Sequence, residues 1–159
     1  MTSDLETRIA RLEAESEIRR LKARYLNACD LKDVAAIRGC FTDDAALDYA
    51  PMGQFNLDQL IAVFTKFAVE QPIVDSHQMH NGEIEIVDAD HARARWNLGF
   101  TTYDPRTGAF RLMSGLYEDE YRRTPAGWRI AKSRHTPRLI ADGTLTDASV
   151  KASIVKPEA

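Results

Sequence analysis

HARARWNLGF, residues 91–100, alternates with period two. Ala92, Ala94, Trp96, Leu98 and Phe100 fall on one side; Arg93, Arg95 and Asn97 fall on the other. That is the pattern of a strand with one face in a core and the other in water. C-terminal to it, DPRTG at 104–108 supplies proline and glycine for a hairpin turn. A strand over 109–122, a turn TPAG at 124–127 and a last strand over 128–138 follow. N-terminal to it, EIEI at 83–86 alternates in the same way. Such strands are long for a globular domain. Gly99 and Gly115 lie within them, where glycine marks sharp bends. The pattern predicts a strongly curved, mainly antiparallel sheet.

The first half is helical. Ser3 and Glu6 form a capping box. Leu5, Ile9 and Leu12 make one apolar stripe; Ile18, Leu21, Tyr25 and Ala28 make a second, out of phase with it. This predicts one long helix with a shift or break near 13–17, ended by Asp30. A second helix is expected over 33–41, then a short strand over 45–50 and a turn at Pro51, Met52 and Gly53. Asn56 or Asp58 caps a third helix with the stripe Leu57, Leu60, Ile61, Phe64 and Phe67, closed by Pro72. Helices must cover one face of a sheet to bury it. The expected fold is therefore α+β: three N-terminal helices on a curved sheet, a cone-shaped barrel with an apolar interior. Residues 1–140 form one domain, and 141–159 a polar tail with weak helical character at 147–155.

Composition narrows the function. The 159 residues carry a net charge of −3, without the basic surplus of a nucleic-acid binder. No apolar run approaches the ~20 residues of a membrane span. The charged start MTSDLETRIARLEAE does not read as a secretory signal. Cys29 and Cys40 have no zinc or disulfide spacing and read as core thiols of a cytoplasmic protein.

The chemistry-bearing residues are few. Asp30 places an acid at the negative end of a helix dipole. It is either a site residue or the N-cap of the next helix. Tyr25, five residues earlier, is either a core residue with its hydroxyl at the rim or a cavity residue. His77 and His80 stand ahead of the strand at 83–86, and a spacing of three lets only one point inward. A histidine beside a carboxylate is the usual general acid–base pair. As metal ligands the two histidines lack a third partner, so no metal and no cofactor is expected. Ser133 and His135 alternate along the last strand and could line the same cavity; His91 sits in a turn in solvent.

Three helices, a curved sheet, Tyr25-x-x-x-x-Asp30 ending the first helix and His77-x-x-x-Asn81 opening the first long strand resemble the SnoaL-like branch of the NTF2-like superfamily, over roughly residues 5–140. Its lyases include scytalone dehydratase, bile acid 7α-dehydratase and γ-hexachlorocyclohexane dehydrochlorinase. The resemblance implies a His–Asp dyad, His77 with Asp30, inside the cone. It also implies hydrogen-bonding roles for Tyr25 and Tyr49, with His80 matching a second histidine. Phe100 stands where the bile acid enzyme has an acid, and Ser133 near an arginine of the dehydrochlorinase. These departures place isomerase behind lyase, and Arg95 points away from the pocket face.

The expected function is thus a cofactor-independent, dehydratase-like lyase for a small hydrophobic, cyclic molecule. Met52, Phe55, Trp96, Phe100 and Met113 would form its wall, with Tyr49, His80 and His135 as polar contacts. A non-catalytic binding or assembly module, a ketosteroid-isomerase-like isomerase and a polyketide-tailoring enzyme are the alternatives. Trp128 and Ile130 exceed what one helical layer can cover. A homo-oligomer is therefore expected, a trimer by resemblance ahead of a dimer, with neither nucleic acid nor membrane as partner.

Overall fold

The computed structural model describes residues 4–145. The Ser3 half of the expected capping box and the weak helix at 147–155 lie outside the described residues. The chain runs α1 (Asp4–Asp30), α2 (Val34–Arg38), β1 (Phe41–Tyr49), β2 (Gly53–Phe55), α3 (Leu57–Phe64), a π-helical turn (Thr65–Val69), β3 (Val74–Ile86), β4 (His91–Tyr103), β5 (Ala109–Thr124) and β6 (Gly127–Thr144). The six strands form one sheet in the order β2-β1-β6-β5-β4-β3. Every neighbouring pair is antiparallel except β1 with β6. β2 and β3 remain as edges, so the cone is an open, curved sheet and not a closed barrel.

The helix α1 is unbroken, contrary to the expected break near 13–17. At about 100° per residue, Ala14, Ile18, Leu21 and Tyr25 lie about 180° round the helix from Leu5, Ile9 and Leu12. The first set is buried in the core, whereas Leu5, Ile9 and Leu12 are 62%, 46% and 66% exposed. The phase jump marks a change of side. Gly39 closes α2 early, its N–H bonding Ala35 O at 3.0 Å, so Phe41 begins β1 instead of ending a helix. Asn56 caps α3 with a reciprocal box: each of the Asn56–Gln59 bonds is 2.9 Å. The helix gives way to the π turn after Phe64, leaving Phe67 exposed outside the expected stripe.

The strand β3 starts at Val74, well ahead of the expected 83. Its front half reads as polar because Gln78 and His80 face water and the other side carries Asp75, His77 and Met79. Between His80, opposite Asn97, and Glu83, opposite Arg95, β3 uses one residue more than β4. This is a bulge, with Asn81 in the left-handed region at φ 49°. It inverts the strand's parity: the core face carries His77 and Met79 before it, and Ile84 and Ile86 after it. Gly82 at the bulge is obligatory, since a Cβ there would lie 2.0 Å from Trp96 Cζ3. Gly115 sits at a second irregularity, between Ser114 and Gly115, as expected of a bend; pairing across Gly99 is regular. Trp128 and Ile130, expected to need a partner chain, are buried within the core at 3% and 0% exposure. The last strand continues to Thr144, paired back to Ala109.

Candidate functional site

Asp30, the last residue of α1, reaches across to β3. Its carboxylate accepts the His77 backbone N–H at 3.1 and 3.0 Å and meets His77 Nδ1 at 2.5 Å. An ionised carboxylate only accepts, so Nδ1 carries the proton and Nε2 keeps its lone pair. Nε2 makes no hydrogen bond to another described residue. Asp30 does not cap the next helix: Asp33 does, accepting Ala36 N–H at 2.9 Å. The dyad is half-buried, with 15% of the His77 side chain and 26% of Asp30 exposed. The Phe100 ring lies 4.5 Å from that of His77, and Met113 is the cross-strand neighbour of Phe100. Beside the dyad, Lys32, in the turn after α1, pairs with Asp75 of β3. Lys32 adopts φ 58° to make that turn.

Deeper in the interior, Tyr25 and Tyr49 share a hydroxyl–hydroxyl contact of 3.3 Å, and both are buried. Burial holds both phenols above their ordinary pKa, so they stay protonated. His135 stands next to them, its ring 4.8 Å from Tyr117 and 6.4 Å from Tyr49. Burial, reinforced by the charge of Lys22 and by that of His77 when its imidazole is protonated, pulls its pKa down to about 4. The ring is therefore neutral, and its Nε2 is buried without a hydrogen-bond partner among the described residues.

Other expected site residues fall elsewhere. His80 points to the outer face, because the spacing of three puts it opposite in parity to His77. Met52 is 59% exposed at the β1–β2 turn and lines no interior. Phe55 is half-buried against the core. Trp96 lies in a buried network, donating to Tyr121 Oη at 3.0 Å under the Arg19 guanidinium. His91 is in solvent, against Asp88 at 3.0 Å.

That network escaped the sequence reading. Lys22 Nζ is 2.8 Å from Asp119, with both side chains fully buried. Asp119 also accepts from Ser133 at 2.7 Å and Tyr121 at 2.8 Å. Lys22 Nζ sits 3.5 Å from the Tyr117 ring centroid. Burial lowers the Lys22 pKa and Asp119 opposes that shift. The signal was present: Lys22 lies between Ile18 and Tyr25 on the buried side, and Asp119 alternates between Tyr117 and Tyr121.

A concavity of about 1110 Å³ is on the opposite face of the sheet. Its walls include Glu83, Glu85, Arg93, Arg95, Lys132 and Arg134, and no residue of the dyad. Among the described residues no group of three His, Cys, Asp or Glu side chains is placed to hold a metal. Among the described residues no helix is long and apolar enough to cross a membrane.

Comparison with known proteins agrees with this architecture. Residues 10–134 match the profile of the SnoaL-like domain. Uncharacterised proteins of Mycobacterium tuberculosis and Mycobacterium bovis are 28% identical over 142 residues, covering 80% of this chain and 88% of theirs. Among solved structures, the hexachlorocyclohexane dehydrochlorinase LinA superposes with a TM-score of 0.80 at 18% identity, over 92% of this chain and 98% of its own. A Novosphingobium aromaticivorans protein provisionally described as a scytalone dehydratase gives 0.78 at 17% identity, over 86% and 91%. At these identities the structural likeness shows the fold.

Proposed function

The chain belongs to the SnoaL-like domain family, and from that premise we propose that it is a cofactor-independent lyase eliminating water from a small, hydrophobic, cyclic hydroxy-ketone. The observation that carries this reading is the Asp30–His77 contact, with no other described residue hydrogen-bonded to Nε2. Nε2 removes a proton from the carbon beside the carbonyl. The C–H electron pair becomes the new C=C bond as the C–O bond on the next carbon breaks. The departing hydroxide takes the proton back from the imidazolium and leaves as water, so the dyad is restored without a redox partner. Asp30 fixes the tautomer and stabilises the transient imidazolium, the usual role of a carboxylate behind a histidine. The hydroxyls of Tyr25 and Tyr49, held protonated by burial, and the neutral His135 ring supply hydrogen bonds for the substrate's oxygens. Phe100 and Met113 give the apolar contact beside His77. Fold relatives described as a dehydrochlorinase and a dehydratase, both of which eliminate, support the same reaction class.

The test begins with a thermal-shift panel of phenolic, steroid and terpenoid hydroxy-ketones. A ligand at a hundred times its dissociation constant adds about 2.7 kcal/mol of stability. Hits are then assayed for the absorbance of a conjugated enone. His77→Gln and Asp30→Asn should each lower turnover by roughly 10²–10⁴-fold, the usual loss for a general base. If hits bind and the wild type forms no enone, the protein is a binding module and the proposal fails.

A further inference from the structure

The ten residues from Asp4 to Glu13 form an exposed arm of about 15 Å at the start of α1. Its apolar residues, Leu5, Ile9 and Leu12, face away from the side that Ala14, Ile18 and Leu21 bury. The chain's own sheet therefore cannot cover them, because the arm continues as one straight element from a helix already committed to the opposite side. We propose that this stripe pairs with the same stripe of a second copy, the two arms parallel and in register.

Three features of the sequence specify that occupant. The spacing 5, 9, 12 is a heptad fragment with Leu5 and Leu12 at d positions and Ile9 at a. Leucine at d with a β-branched residue at a favours two parallel strands. The flanking charges complement one another only in the parallel arrangement. There, Arg8 of one copy faces Glu13 of the other, and Glu15 faces Arg20, each a g-to-e contact of opposite sign. An antiparallel pair levelling Leu5 with Leu12 would bring the two Arg8 side chains together. The seam also has a built end. Ser16 takes the next a position, and Arg19, at the next d, turns its guanidinium back over its own Trp96, 5.8 Å from the ring. Because the buried side of each helix faces away from the seam, the two bodies lie on opposite sides of it and do not collide.

The full-length chain should sediment as a dimer of 17.9 kDa protomers at tens of micromolar. Ile9→Glu should give folded monomers with a far-ultraviolet circular dichroism spectrum close to that of the wild type, since Ile9 is exposed and outside the core. Arg8→Glu and Glu13→Arg should each weaken association at low salt, and together restore it. Leu5→Cys should form an intermolecular disulfide with itself under mild oxidation. A monomeric wild type, a mass of three chains, an Ile9→Glu dimer or a failure of the double charge swap to restore pairing would overturn the proposal. So would Leu5→Cys crosslinking only to a Leu12→Cys chain, the mark of antiparallel arms. Failure of Leu5→Cys to crosslink at all, as when residues 146–159 of the same chain cover the stripe, would overturn it too.

Discussion

Lowering the pH from 7 to 4.5 should cost the fold about 2 kcal/mol through His135 alone. In the unfolded chain its imidazole titrates near the ordinary 6.5; in the fold it is held at about 4. The cause is burial first, then the Lys22 charge from α1 and that of protonated His77 from β3, with Asp119 on β5 opposing them. Tyr49 and Tyr117 complete the surroundings and stay neutral. As the pH falls through 6.5 the unfolded state takes up a proton that the folded state refuses until about 4. Stability is therefore full above that window, falls across it and levels off below it. Two and a half units at 1.36 kcal/mol each set the limit at about 3.4 kcal/mol, most of it already lost by pH 4.5. The assay is urea unfolding of wild type and His135→Gln at both pH values. The carboxylates titrate in both proteins and cancel in the difference between them. The variant is expected to lose about 2 kcal/mol less than wild type on acidification. A difference that changes by less than about 0.5 kcal/mol would refute the claim that His135 is buried neutral.

Gly82→Ala should destabilise by about 1–3 kcal/mol or more by urea unfolding, because the hydrogen-bonded Trp96 cannot retreat from the new methyl group. Lys22→Met should cost about 3–5 kcal/mol by stranding the Asp119 charge, and adding Asp119→Leu should recover much of it. No recovery would show that Asp119 matters through Ser133 and Tyr121 instead. Asn56→Ala should lower stability by about 1 kcal/mol, measured the same way, by opening the capping box on α3.

The sequence makes β4 legible because its two faces differ in polarity from His91 to Phe100. It hides the front of β3 because that segment carries polar residues on both sides: Gln78 and His80 for water, Asp75 and His77 for the site. Local pattern cannot separate a functional polar residue facing inward from a solvated one. The Asp30–His77 pairing could be expected from residue type and from resemblance, since neither residue has a packing reason to stand where it does. The buried Lys22–Asp119 pair is hidden in the sequence because a lysine on a helix is ordinarily solvated, even between two apolar neighbours. The two stripes of α1 look in sequence like a fault in the helix, although one unbroken helix that buries one side in its second part and exposes the other in its first gives the same pattern.

The extra residue near Asn81 and Gly82 also bears on how this chain can change over generations. The bulge is a parity lock, holding the core residues behind it and the site residues ahead of it on one side. Deleting one residue there would restore an even register and force a choice, because a slip of one flips every side chain. The strand would keep Ile84 and Ile86 inward, since their burial outweighs a single ion pair, and His77 would turn to solvent. One codon's loss would then leave a folded protein in which Asp30 and His77 no longer meet.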